Sequence, residues 1–195
     1  MVSAEDVGRS LRGAAGLLNR QQEAVGAFDT SLQGFVRSFS AVALTAPAFV
    51  VALALQRRTL GLDVTRHALF DDAGLVLLVG AGHLASFVAL PVAMAVLARR
   101  LALGARFVPF VVATNWVGVF GSYLLAVPGA LYLAGWETEA LTRLFTVGFA
   151  AIVLHAQWFA AKVTLRSGTL LAAAVTGLGL LLDLGIDALV DHLAS

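Results

Sequence analysis

Four stretches of this chain, residues 38–55, 74–97, 107–133 and 144–161, contain no Asp, Glu, Lys or Arg, and a fifth, 169–190, contains only two aspartates. A bilayer core of about 30 Å is crossed by about 20 apolar residues in a helix, because only a helix satisfies its backbone polar groups in lipid without neighbours. The sequence therefore predicts an all-α polytopic transmembrane bundle of five spans. The third run would extend roughly 40 Å as a helix, so it is expected to tilt, or to kink near Pro128-Gly129. Residues 37–195 form the bundle, and residues 1–36 form a separate N-terminal region.

Composition agrees. Hydrophobic residues make up 59% of the 195 and charged residues 13%, at a mean hydropathy of +0.89, far from the balance of a soluble domain. The net charge of +1 offers no basic surface for nucleic acid. With no cysteine, the chain makes no disulfide and no thiolate metal site. The first residues lack the basic-then-apolar order of a cleavable signal, so the N-terminus is expected to be retained.

Five crossings divide the basic residues nine to four. Arg9, Arg12, Arg20, Arg37, Arg99, Arg100, Arg106, Lys162 and Arg166 share one side, and Arg57, Arg58, Arg66 and Arg143 the other. The positive-inside rule then places the N-terminus on the cytoplasmic side and the C-terminus on the opposite side. Trp136 and Trp158 fall near opposite boundaries, whereas Trp116 is deeper and is expected to pack.

In the N-terminal region, Val7, Leu11, Ala14 and Leu18 recur at helical spacing among arginines, with Ser3 and Asp6 as a capping start. An amphipathic helix follows, either lying on the cytoplasmic leaflet or packed on the inner mouth of the bundle. Thr30 and Gln33 have capping-box spacing and are expected to start the helix that enters the first span.

Polar residues inside the spans mark the candidate site. In the last span Ala172, Thr176, Gly179, Asp183 and Asp187 form one small-polar stripe that should face the bundle, while leucines face lipid. An acid near a helix C-terminus opposes the helix dipole, so a cation is expected nearby. Arg143, at matching depth on the antiparallel fourth span, is predicted to pair with Asp183 or Asp187. Asn115, Gly118, Ser122, Ala126 and Gly129 line the third span, and Gly148, Ala151, His155 and Lys162 the fourth. His83, near mid-membrane in the second, is expected to be neutral and bonded to Asn115 or a serine rather than to relay protons. His67 and Asp71 share a helix face in "RHALFDD", too few ligands for a metal. HExxH, GxSxG and phosphate-loop motifs are absent, so no catalytic residue, metal or cofactor is predicted.

Several segments, "AFDTSLQGFVRSF" (27–39), Asn115-Trp116, "QWFAAKVTL" (157–165) and the aspartate closing "GLLLD", together resemble the bacterial Yip-like small membrane proteins. The tyrosine-containing cytosolic signature of the eukaryotic Yip proteins does not occur, so the resemblance implies a five-span fold with function unassigned. The functional expectation is a non-enzymatic scaffold or accessory subunit, held in lipid with other membrane subunits or as a homo-oligomer. The alternative is a small oligomeric transporter or channel for a solute or proton, lined by His83, Asn115, His155 and Asp183.

Overall fold

The computed structural model describes residues 3–65, 68–136 and 138–194; Met1, Val2, Arg66, His67, Glu137 and Ser195 lie outside the described residues. All regular structure among the described residues is helical: α1 (Ala4–Leu18), a 3₁₀ segment (Gln22–Ala27), α2 (Leu32–Ser38), α3 (Ala41–Leu44), α4 (Ala46–Thr59), α5 (Ala73–Arg100), α6 (Gly104–Leu133), α7 (Glu139–Leu165) and α8 (Thr169–Ala194). Helices α5 to α8 are each long and apolar enough to cross a membrane, and α2–α4 passes the same test as a bent fifth span. The protein is an integral, multi-pass helix bundle.

Helices α5, α6, α7 and α8 form a ring in which each packs on the next and α8 returns to α5. One end of the ring carries Arg99, Arg100, Arg106, Lys162 and Arg166 and is called the basic end; the other, with Asp72, Glu139 and Asp191, is the acidic end. Helix α6 is central. It is covered on its outer side by α1 to α4 as well as by its ring neighbours, and every residue from Phe110 to Val117 is buried.

The N-terminal helix packs one face on the bundle. Ser3 caps α1 by accepting a hydrogen bond from the Asp6 backbone N–H at 3.0 Å. Ser10, Gly13, Ala14 and Leu17, at i, i+3, i+4 and i+7, are buried, and Ala14 and Leu17 join Val112, Ala113, Trp116, Phe159 and Ala160 in one core. The predicted stripe is thus rotated by a fraction of a turn, with Val7, Leu11 and Leu18 at its rim. Asp6 bridges Arg9 at 2.7 Å and Arg37 at 3.3 Å, tying α1 to α2. The Ser3 hydroxyl, and then the two guanidiniums, hold the Asp6 carboxyl below the usual carboxylate value.

The start of α2 differs from the expected capping box by one residue. Asp29 accepts from the Ser31 N–H at 3.0 Å, and Ser31, not Thr30, accepts from the Gly34 N–H at 3.0 Å. The aspartate fixes a turn that delays the helix by one position. Gly34 is required there, since a Cβ would lie 2.0 Å from the Asp29 carbonyl oxygen.

The first span is broken rather than continuous, with a 47° bend between Leu44 and Ala46. Pro47 has no N–H for the carbonyl one turn before it. Ser38, Ser40 and Thr45 each turn their hydroxyl back onto the carbonyl three residues earlier, at 2.7 Å, a pattern that bends helices. The Leu44 carbonyl released by the break accepts the Tyr123 hydroxyl at 2.8 Å, as an apolar solvent demands.

Candidate functional site

The ring encloses a cavity of about 470 Å³. Its floor, towards the basic end, is made by Phe110, Ala161 and Val175, which continue into a sealed core with Met94, Leu165 and Ala172. Towards the acidic end the walls run up to Leu125, Thr146 and Asp187. Thr146, Asp183 and Asp187 line the cavity and are also exposed, so it opens as a cleft between the far halves of α7 and α8. Those halves are unpacked on most sides: Val147 is 70% and Leu181 69% exposed, and a Cβ on Gly148 or Gly185 would meet nothing within 4 Å.

Each helix contributes polar groups at helical spacing. The α8 stripe lies as expected, with Ala172 and Gly179 buried and Thr176, Asp183 and Asp187 lining the cleft. The aspartates are therefore turned towards the bundle, Asp183 facing Ser86 of α5. On α6, Asn115, Gly118 and Ser122 line the wall; Gly129 instead lets α4 approach, since a Cβ there would lie 2.5 Å from a Leu55 methyl.

Asn115 donates through Nδ2 to the Ser38 hydroxyl at 3.0 Å, and Ser38 donates to the Phe35 carbonyl. His83 finds neither Asn115 nor a serine. Its Nε2 lies 2.7 Å from Thr45 Oγ1, at the break in the first span. Thr45 spends its proton on the Val42 carbonyl, so the imidazole donates through Nε2–H and is left with Nδ1 as an acceptor. The ring of Phe49 packs 5.7 Å from that imidazole.

Two expected members of the site are elsewhere. His155 faces α1, where its Nε2 accepts from Arg20 Nε at 3.0 Å and its ring is 5.4 Å from that of Trp158. Lys162 lies over the same indole at 5.0 Å. The α7 stripe that faces the cavity is instead Thr146, Ala150, Val153, Gln157 and Ala161. Arg143 pairs with Glu139 one turn away on its own helix and is 79% exposed; among the described residues no ion pair joins it to Asp183 or Asp187. The separation of α7 from α8 at the acidic end leaves the i–4 glutamate as the nearer acid.

Gln157 is the site residue that sequence reading missed. Its Oε1 is buried without a hydrogen-bond partner, a costly state unless something donates to it. Its spacing from Val153 and Ala161 was the available signal. Among the described residues, no three His, Asp or Glu side chains are grouped as a metal site.

Comparison with known proteins gives no matching family model, no matching curated protein and no matching solved structure.

Proposed function

We propose that this multi-pass membrane protein binds and translocates a small solute through the four-helix cleft. One observation carries the reading: a cavity of about 470 Å³ within the bundle, closed at the basic end and open at the acidic end, lined by His83, Asn115, Gln157 and Asp183. Its volume falls within the usual range for small-molecule sites. Intramembrane polar groups are costly and gather where a solute or water passes. The first span breaks beside His83, and unwound backbone in a span is tolerated where it meets protein or a cavity. The nine-to-four arginine and lysine asymmetry supports a cytoplasmic basic end, and the bacterial Yip-like resemblance supports an inner-membrane location, so the cleft would face the periplasm. No step of chemistry is assigned to the cleft, and the protein is read as non-enzymatic.

A second reading draws on the same opening. Asp183 and Asp187 stand uncovered in an apolar span, and a helix from another subunit laid between α7 and α8 would cover them, as in an accessory role. The Yip-like resemblance fits either case through its five-span layout alone.

Purification in mild detergent, native mass spectrometry and solute uptake after reconstitution separate the two. A lone chain or homo-oligomer that carries solute supports translocation. A stoichiometric heteromer with no uptake supports the accessory reading and overturns the first.

A further inference from the structure

Resting on the solute-cleft reading, we infer that the cleft's ligand is a primary ammonium group on a small apolar body. The first argument is sign. Asp183 and Asp187 stand in the cleft, and no described lysine or arginine lines it. The neighbouring cations are placed elsewhere: Arg143 pairs with Glu139, Arg20 bonds His155 and Lys162 lies over Trp158, while Arg57, whose Nε donates to the Asp63 carbonyl and whose Nη1 is buried without a partner, is not part of the cleft lining. A carboxylate in a low-dielectric span is stabilised by a cation, and among the described residues none pairs with Asp183 or Asp187.

The second argument is hydrogen-bond polarity, which is independent of charge. Thr114, Ser122, Thr146 and Thr176 each direct their hydroxyl proton to a carbonyl of their own helix, so they present lone pairs to the cleft. His83 donates away to Thr45 and retains an acceptor nitrogen. Asn115 has spent one amide proton on Ser38, leaving its carbonyl oxygen free to accept. Gln157 Oε1 is buried and unpartnered. Acceptors therefore dominate the lining, and the ligand should be rich in donors. A primary ammonium carries three.

Size and wall chemistry complete the class. The space is too wide to ligate a bare inorganic cation, which needs about six oxygens at 2.0–2.6 Å. Phe87, Leu90, Phe110 and Leu180 give it apolar faces, suited to an alkyl or aryl body and, at the rings, to the cation itself. The amine can be free, or it can be the head group of an aminolipid entering between α7 and α8.

The test uses the full-length protein in phosphatidylcholine nanodiscs, which offer no N–H ammonium, with empty discs as blank. Calorimetry compares hexylammonium with hexanol and hexanoate, probes of one length and three charges. Hexylammonium is expected to bind at least about tenfold more tightly than either, and Asp183→Asn to remove most of that preference. Asp191→Asn, outside the cleft, should leave it unchanged. Competition by added phosphatidylethanolamine would support the lipid as the source of the ammonium; its absence with hexylammonium still bound would support a free amine. Hexanol or hexanoate binding as tightly as hexylammonium, or equal losses in the two Asp→Asn variants, overturns the ammonium assignment and leaves a solute cleft standing. No binding of any probe and no effect of the aminolipid overturns both.

Discussion

The same four helices behave differently at their two ends. Near the basic end, Met94, Phe110, Leu165 and Val175 close the ring into a core, and α1 adds a layer outside it. Near the acidic end, α7 and α8 separate, and their side chains, Leu144, Val147, Leu181 and Leu184 among them, are exposed. Both ends are built from similarly apolar residues, so hydrophobicity does not cause the difference. In lipid, apolar surface gains little by leaving its solvent, and helices associate where shapes interlock or polar groups meet. The basic end has bulky side chains that interlock, plus α1 packed against α6 and α7. Between α7 and α8 the acidic end has Gly148 and Gly185, where an added Cβ would meet nothing within 4 Å, and Asp183 and Asp187, to which no described residue supplies an ion pair.

The sharpest break in this comparison is a paired truncation. Phe110→Ala at the fully buried floor should cost about 3–5 kcal/mol through the void it leaves, whereas Leu184→Ala in the open half should stay within about 0.5 kcal/mol. Unfolding in mixed micelles measures both, and comparable losses would refute the contrast.

Glycines give the next largest effect. Gly34→Ala, forced against the Asp29 carbonyl, should detach the start of α2 and lower the folded yield several-fold. Gly148→Ala and Gly185→Ala, which meet nothing, should be neutral or stabilise by up to about 1 kcal/mol through helix propensity. Size-exclusion profiles and thermal midpoints distinguish these outcomes.

Polar pairs follow. Asn115→Ala should cost about 1–3 kcal/mol because it strips a buried bond from Ser38, and in a double-mutant cycle with Ser38→Ala the losses should be less than additive. Arg143→Gln, by contrast, should leave the unfolding midpoint unchanged, because its pair with Glu139 is exposed. An Arg143→Asp change paired with Asp187→Arg should give no recovery; recovery would show that α7 and α8 close at the acidic end.

The smallest effect is one of pH. Because Asp6 has a lowered value when folded, its contribution to docking α1 is present above its unfolded value, about 3.8, and is lost as pH falls through the lower, folded one. Protease sensitivity of α1 should therefore rise only below about pH 4, and Asp6→Asn should make it insensitive to pH in that range.

Legibility followed the strength of the local signal. The long spans were plain because four lack charge entirely, and the α8 stripe was plain because small and polar residues recur at steps of three and four. The break at Thr45 was less so. Pro47 was visible, but three hydroxyls bonding back to the backbone and the reach of Tyr123 to Leu44 are geometric facts. His155 and Gln157 lie two residues apart and face different neighbours, so the α7 stripe drawn through His155 missed the cavity-facing one. The helix dipole and matching depth point Arg143 at Asp183 and Asp187, but neither measures how far apart two antiparallel helices stand.

The sequence by itself determined the solvent, the helical class and which residues along α8 share a face, because these follow from runs and periods along one chain. Tertiary structure decided that α1 sits on protein, that the first span bends, and that the cleft is lined by Gln157 in place of His155. Each of those depends on which surfaces meet across tens of residues, and contact in lipid is selected by shape and hydrogen-bond partners, which no linear pattern records.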